Sequence, residues 1–166
     1  MLPDFHGNRS PLADPHALGV ISGLTLDASL DGLAQLYFAT AQTIAFGTRH
    51  ILDALNAEGY AIDRLHVAGG HARNPLLMEL YADTTGCTVV APPEDTDAVL
   101  LGTAMVAAAA AGVHGDLRAA ASAMAQPGTS CRPDTTRREA YDRRYRAFLE
   151  MHGQRRALDR LLGARA

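Results

Sequence analysis

The sequence predicts an α/β fold in which helices pack on a mainly parallel sheet. Three observations point there. Two short runs suited to strands, Arg64–Ala68 and Thr88–Ala91, each give way to a helical pattern. A glycine pair and a proline pair punctuate those changes, and a long amphipathic segment precedes both. At 166 residues with 48% apolar content, one core is expected rather than two, so residues 1–166 read as a single domain. Its expected parts are a loop over 1–18, an α/β core over 19–131 and a basic amphipathic helix over 132–166.

Residues 1–18 mix Pro, Asp, Asn, His and Gly without a period, which predicts an ordered loop. The run Gly19–Leu26 is partly β-branched and broken by Gly23, as expected of a strand or a bent hairpin arm. From Asp31 to Glu58, Leu33, Leu36, Tyr37, Ile44, Ile51 and Leu55 recur at helical spacing, and Gly59 is placed to end the helix. Arg64–Ala68 reads as a strand ending at Gly69 and Gly70, and a helix is expected from Pro75 to Thr85. Thr88–Ala91 is a second strand closed by Pro92 and Pro93. Asp97 then opens an alanine-rich helix that ends at Gly112. A short helix over Asp116–Ala125, a linker over Gln126–Asp134 and a last helix over Thr135–Leu162 complete the chain. The apolar face of that last helix is assigned to Tyr141, Tyr145, Phe148, Leu149, Leu161 and Leu162.

Composition excludes several chemistries. The chain has no lysine, which removes a Walker-type phosphate lysine and Schiff-base catalysis. Cys87 and Cys131 stand far apart with no C-x-x-C, so neither zinc nor a disulfide framework is expected. Ten of the fifteen arginines lie from Arg132 onward, but Glu139 with Arg143 and Asp142 with Arg146 are spaced as on a solvated helix face. Nucleic acid is therefore not an expected partner. The apolar run Ala98–Val113 is shorter than the ~18 residues of a membrane span, and the opening residues lack a leader pattern. A cytoplasmic protein is expected. His50, His66 and His152 fall within elements, where packing or surface roles are the ordinary ones.

The stretch Gly69–Pro75, GGHARNP, sits between a strand and a helix. Residues without Cβ let a ligand approach the backbone, and a helix start offers unpaired amides and the positive end of its dipole. The same residues also suit a plain turn, with Asn74 capping a helix that has Pro75 at its first position.

Extended to GGHARNPLLMELYADTTGCTVVAP and joined with DTDAVLLGTAMVAAAAAG, this stretch resembles the adenosine-binding half of FGGY sugar kinases, members of the actin, Hsp70 and hexokinase superfamily. The resemblance implies an RNase H-like domain whose Gly-Gly turn lies over the nucleotide, with an asparagine four residues on bordering adenine. Gly69, Gly70 and Asn74 occupy those places. Leu101, Gly102, Thr103 and Ala104 match a small-residue helix near the cleft. The opening PDFHGNRSPLADP resembles the ribulokinase-like branch, where such a loop lies near the interdomain cleft. His6, Asn8, Arg9 and Ser10 are its polar candidates, Arg9 for phosphate or a sugar hydroxyl. Asp14 before Pro15 is a turn former. A second family signature is matched by Gly19, Ile21, Gly23 and Leu24 and then by Gln35, Leu36, Ala39, Thr40 and Gln42. Its halves stand two or three residues further apart than the family pattern, and Ala41 replaces a larger apolar residue.

The family's aspartate base and sugar-binding half have no counterpart in this sequence. The resemblance thus implies an incomplete domain whose first strands lie upstream of Met1, and a chain inactive by itself. ATP and Mg²⁺ are the implied cofactors, a pentulose such as ribulose or a related polyol the implied substrate. The alternative is a catalytically silent fragment that binds nucleotide or a partner. A homodimer is left open.

Overall fold

The computed structural model describes residues 1–94 and 96–163. Helix α1, Leu30–Ala57, begins where the Ser29 hydroxyl accepts the Gly32 amide at 3.1 Å. Strand β1, Arg64–His66, runs parallel to β2, Thr88–Ala91, with Leu65 opposite Val89. Between them lies α2, Pro75–Thr85. Helix α3, Ala98–Ala110, is capped by Asp97, whose carboxylate accepts the amides of Val99 and Leu100. Helix α4, Leu117–Met124, is followed by β3, Thr129–Cys131, and α5 spans Arg138–Leu161 behind a 3₁₀ turn at Thr135–Arg137.

The sheet order is β1-β2-β3, and β3 runs antiparallel to β2. The layered α/β prediction holds, and the sheet is mixed. Strand β3 lies inside the expected linker over 126–134. Three residues with two exposed side chains carry no hydrophobic period, so only backbone pairing reveals the strand. The expected strand over Gly19–Leu26 does not form. Val20 makes one isolated bridge to Leu2, with amide-to-carbonyl distances of 2.8 and 3.1 Å, and residues 21–30 are exposed. Propensity without a neighbouring strand to receive the ladder leaves this run irregular.

Helix α2 is the centre of the packing. Leu77, Met78, Leu80 and Tyr81 are buried there against Phe46 of α1 and Tyr145 and Phe148 of α5. Each such side chain contributes about 1.5–3 kcal/mol when fully buried. Buried Asp83 ties α2 to the approach of α5: its carboxylate accepts the Asp134 amide at 2.8 Å and meets Arg137 at 3.5 Å. On α5, Tyr141, Tyr145 and Phe148 are buried as expected, but Leu149, Leu161 and Leu162 are exposed, and His152 takes the inward place. Helix α3 buries no residue among those described, and Val99 is 76% exposed. A Cβ at Gly102 would meet no atom within 4 Å, so close helix packing does not require glycine there. No helix among the described residues is long and apolar enough to cross a membrane.

Candidate nucleotide site

Strands β1 and β2 end side by side, and the chain leaves both at the same edge, the position where open α/β sheets take ligands. After β1 comes Gly69, with φ +81° and ψ −154°, a conformation that needs glycine. It leads into a 3₁₀ turn over Gly70–Arg73, closed by Ala72 N–H donating to the Gly69 carbonyl at 3.1 Å. His71 Nδ1 lies 2.8 Å from the Tyr81 hydroxyl, which fastens this turn to the body of α2. Burial pushes the Tyr81 phenol up, so it stays protonated.

Asn74 caps α2 as expected. Its Oδ1 accepts the Leu77 amide at 3.4 Å, and Pro75 holds the first helical position. Its Nδ2 donates to the hydroxyl of Tyr37, on α1, at 3.1 Å. Spacing along the chain could not show this partner, because 37 residues separate the two and Tyr37 fits the apolar stripe of α1.

Gly69 borders a cavity of about 400 Å³. Its other walls are Arg73 and Pro75 from the turn, Pro92 and Pro93 after β2, and Asp97 to Val99 at the start of α3. That volume lies within the ~300–1,000 Å³ usual for small-molecule sites. The space above Gly70 is open, with no atom within 4 Å of where a Cβ would stand. Arg73, Glu94, Thr96 and Thr129 supply polar groups at the cavity that the glycine motif does not single out. Among the described residues, no group of three or more His, Cys, Asp or Glu is placed to hold a metal.

The opening loop is a separate structure. Asn8 and Asp14 exchange backbone hydrogen bonds at 2.7 and 2.8 Å. The Asn8 side chain turns inward, accepting the Leu12 amide at 3.2 Å and donating to buried Asp4 at 3.0 Å. Asn8 thus shapes the loop, while His6, Arg9 and Ser10 are exposed on it. Asp14 accepts the His16 amide at 2.9 Å and acts as the expected turn former. None of His6, Asn8, Arg9 and Ser10 lines the cavity beside Gly69.

The helix-covered sheet superposes on solved sugar kinases of actin- and hexokinase-like fold, and comparison with known proteins gives the family. Residues 1–111 match the FGGY family of carbohydrate kinases, C-terminal domain, and the chain belongs to that family. It is 42% identical over 161 residues to an FGGY carbohydrate kinase domain-containing protein of Xenopus laevis, covering 97% of this chain and 29% of that one. A ribulokinase of Mycolicibacterium smegmatis is 38% identical over 151 residues, 90% of this chain and 26% of its own length. The solved xylulose kinase of Rhodospirillum rubrum superposes with a TM-score of 0.72 at 28% identity, over 95% of this chain and 30% of that one. The chain therefore spans under a third of the length of these relatives.

Proposed function

We propose that this chain supplies the adenosine-binding part of an ATP-dependent carbohydrate kinase that phosphorylates a pentulose such as ribulose, or a related polyol. In this reading Gly69 and Gly70 lie under the nucleotide and Asn74 borders its base. Arg9, with His6 and Ser10 beside it, faces the cleft that the rest of the kinase completes, and Asn8 holds their loop in shape.

One observation carries the nucleotide assignment. The fold explains glycine at 69 by its backbone angle, yet at 70 a side chain would meet nothing for 4 Å. That open space adjoins Gly69, which borders the cavity beyond the ends of two parallel strands, and the combination suits a ligand lying on the backbone. With no protein-held metal cluster among the described residues, Mg²⁺ would arrive on the nucleotide phosphates. Positioning and charge neutralisation in phosphoryl transfer depend on a closed cleft. This part by itself should bind ATP with a Kd no better than roughly millimolar, since a half-site loses much of its preorganisation.

The test is calorimetric titration with ATP and Mg²⁺ of the wild-type chain and of Gly70→Val. Binding by the first and not the second is expected. Equal heats from both would end the assignment.

A further inference from the structure

The cavity beside Gly69 has two kinds of wall. Ala72, Pro92, Pro93 and Val99 make much of it apolar. Its charged lining among the described residues is Arg73, Glu94 and Asp97, one cation against two carboxylates. The Asp97 carboxylate is held at this wall by the amides of Val99 and Leu100, at 2.9 and 3.0 Å. That balance disfavours a polyphosphate inside the cavity and suits the uncharged end of a nucleotide, a purine against the apolar surface. Arg73 is the one charge left to explain. The arginines paired with carboxylates among the described residues are Arg49, Arg137, Arg138, Arg143 and Arg155, and Arg73 is not one of them. It is exposed at the end of the 3₁₀ turn, which is fastened to α2 through His71 and Tyr81. Its guanidinium is always charged, and its flat faces are free to stack.

We propose that Arg73 is a base-binding residue of this cavity: its guanidinium lies flat on the purine, and the phosphates stay outside, on the open side of Gly70. This rests on the reading that a nucleotide occupies the Gly69–Gly70 bend. Cation–π attraction and planar stacking act together in such a contact. Because the contact is to the base, it strengthens the binding of nucleoside and nucleotide alike. An arginine bound to phosphate would help the nucleotide only.

The test measures dissociation constants for adenosine, and for ATP with Mg²⁺, by amide shift titration of the wild-type chain and of Arg73→Ala. Salt at about 0.3 M screens the long-range effect of the lost charge on ATP. The replaced side chain is exposed, so the thermal midpoint should stay within about 2 °C of the wild type. Both ligands should bind more weakly by the same factor, about fourfold, the size of one exposed cation–π contact. Weaker ATP binding with adenosine unaffected would mean that Arg73 serves the phosphates, and the stacking proposal would be wrong. Unchanged affinity for both ligands would remove Arg73 from the site, while a loss of ATP binding in Gly70→Val would keep the glycine-bend reading. A wild type that binds ATP but not adenosine would overturn the nucleoside assignment of the cavity. If the wild type binds neither ligand, the site and this inference fall together.

Discussion

The guanidinium carbon of Arg49 lies 4.1 Å from the centre of the Tyr145 ring, joining α1 to α5 by a cation–π contact. The same guanidinium reaches Asp142 at 2.7 Å, and Tyr145 donates its hydroxyl to Asp53 at 2.7 Å. Burial, then the hydrogen bond and charge of Asp53, push the Tyr145 phenol far up, so it remains a donor at all working pH values. Arg49 is 13% exposed, which shields these contacts from salt more than an open surface pair. The basic helix is thus docked by one arginine that stacks and pairs together.

Arg49→Lys should therefore not behave as a conservative change. Lysine keeps the charge but loses the planar stack and the fork, and the expected cost is about 1 kcal/mol. Arg49→Ala should cost about 2 kcal/mol, since it also removes packed methylenes. Urea unfolding of both variants measures this, and a lysine variant as stable as the wild type would contradict the stacking account.

At the cavity end of the sheet, Gly128 permits β3 to lie against β2. A Cβ there would collide with the Ala91 carbonyl oxygen, a backbone atom that cannot swing away. Gly128→Ala should lose about 2–3 kcal/mol and loosen the Pro92–Pro93 wall of the cavity. Hydrogen exchange at the β2–β3 amides should quicken. Unchanged protection there would contradict the strand pairing.

The pH dependence of stability should carry the mark of His152. Its Nδ1 stands 3.6 Å from the Asp4 carboxylate with both side chains buried, and its Nε2 has no partner among the described residues. Burial holds the His152 imidazole below its ordinary range; Asp4 opposes this, while His50 and Arg156 add to it. His50 is lowered in the same direction, again chiefly by burial. The folded state thus prefers neutral rings that the unfolded chain protonates. Their stabilisation is complete above the unfolded imidazole value of about 6.5 and is lost as pH falls toward the lowered folded value. Urea midpoints should drop between about pH 7 and pH 5. His152→Gln, which keeps a donor for Asp4 without titrating, should flatten that slope. An identical slope in the variant would contradict the assignment.

These relationships differ in how far the sequence discloses them. Helix α2 and strand β2 are legible to the residue, because Asn74 and Pro75 mark a helix start and a proline pair closes a β-branched run. Strand β3 is not, since its pairing is made by backbone groups and its length gives no period. The run at Gly19–Leu26 has strand-forming residues but finds only Leu2 as a partner, a tertiary fact. At the site, the glycine pair and Asn74 are legible as local chemistry. The bond from Asn74 to Tyr37 and the cavity walls at Pro92, Pro93 and Asp97–Val99 involve other elements, and only the fold brings them near the glycine bend. His152 reads as one more histidine in a helix until Asp4 is seen beside it.

Whether a nucleotide lies on the Gly69–Gly70 bend is decided by titrating the ¹⁵N-labelled chain with ATP and Mg²⁺ and tracking its amide resonances. The largest shifts are predicted at Gly69, Gly70, Asn74 and Ala98. A second cavity, of about 550 Å³ between residues 21–29 and the start of α1, is the natural competitor. Shifts confined to Ile21–Leu33, with Gly70 and Asn74 unmoved, would contradict the account.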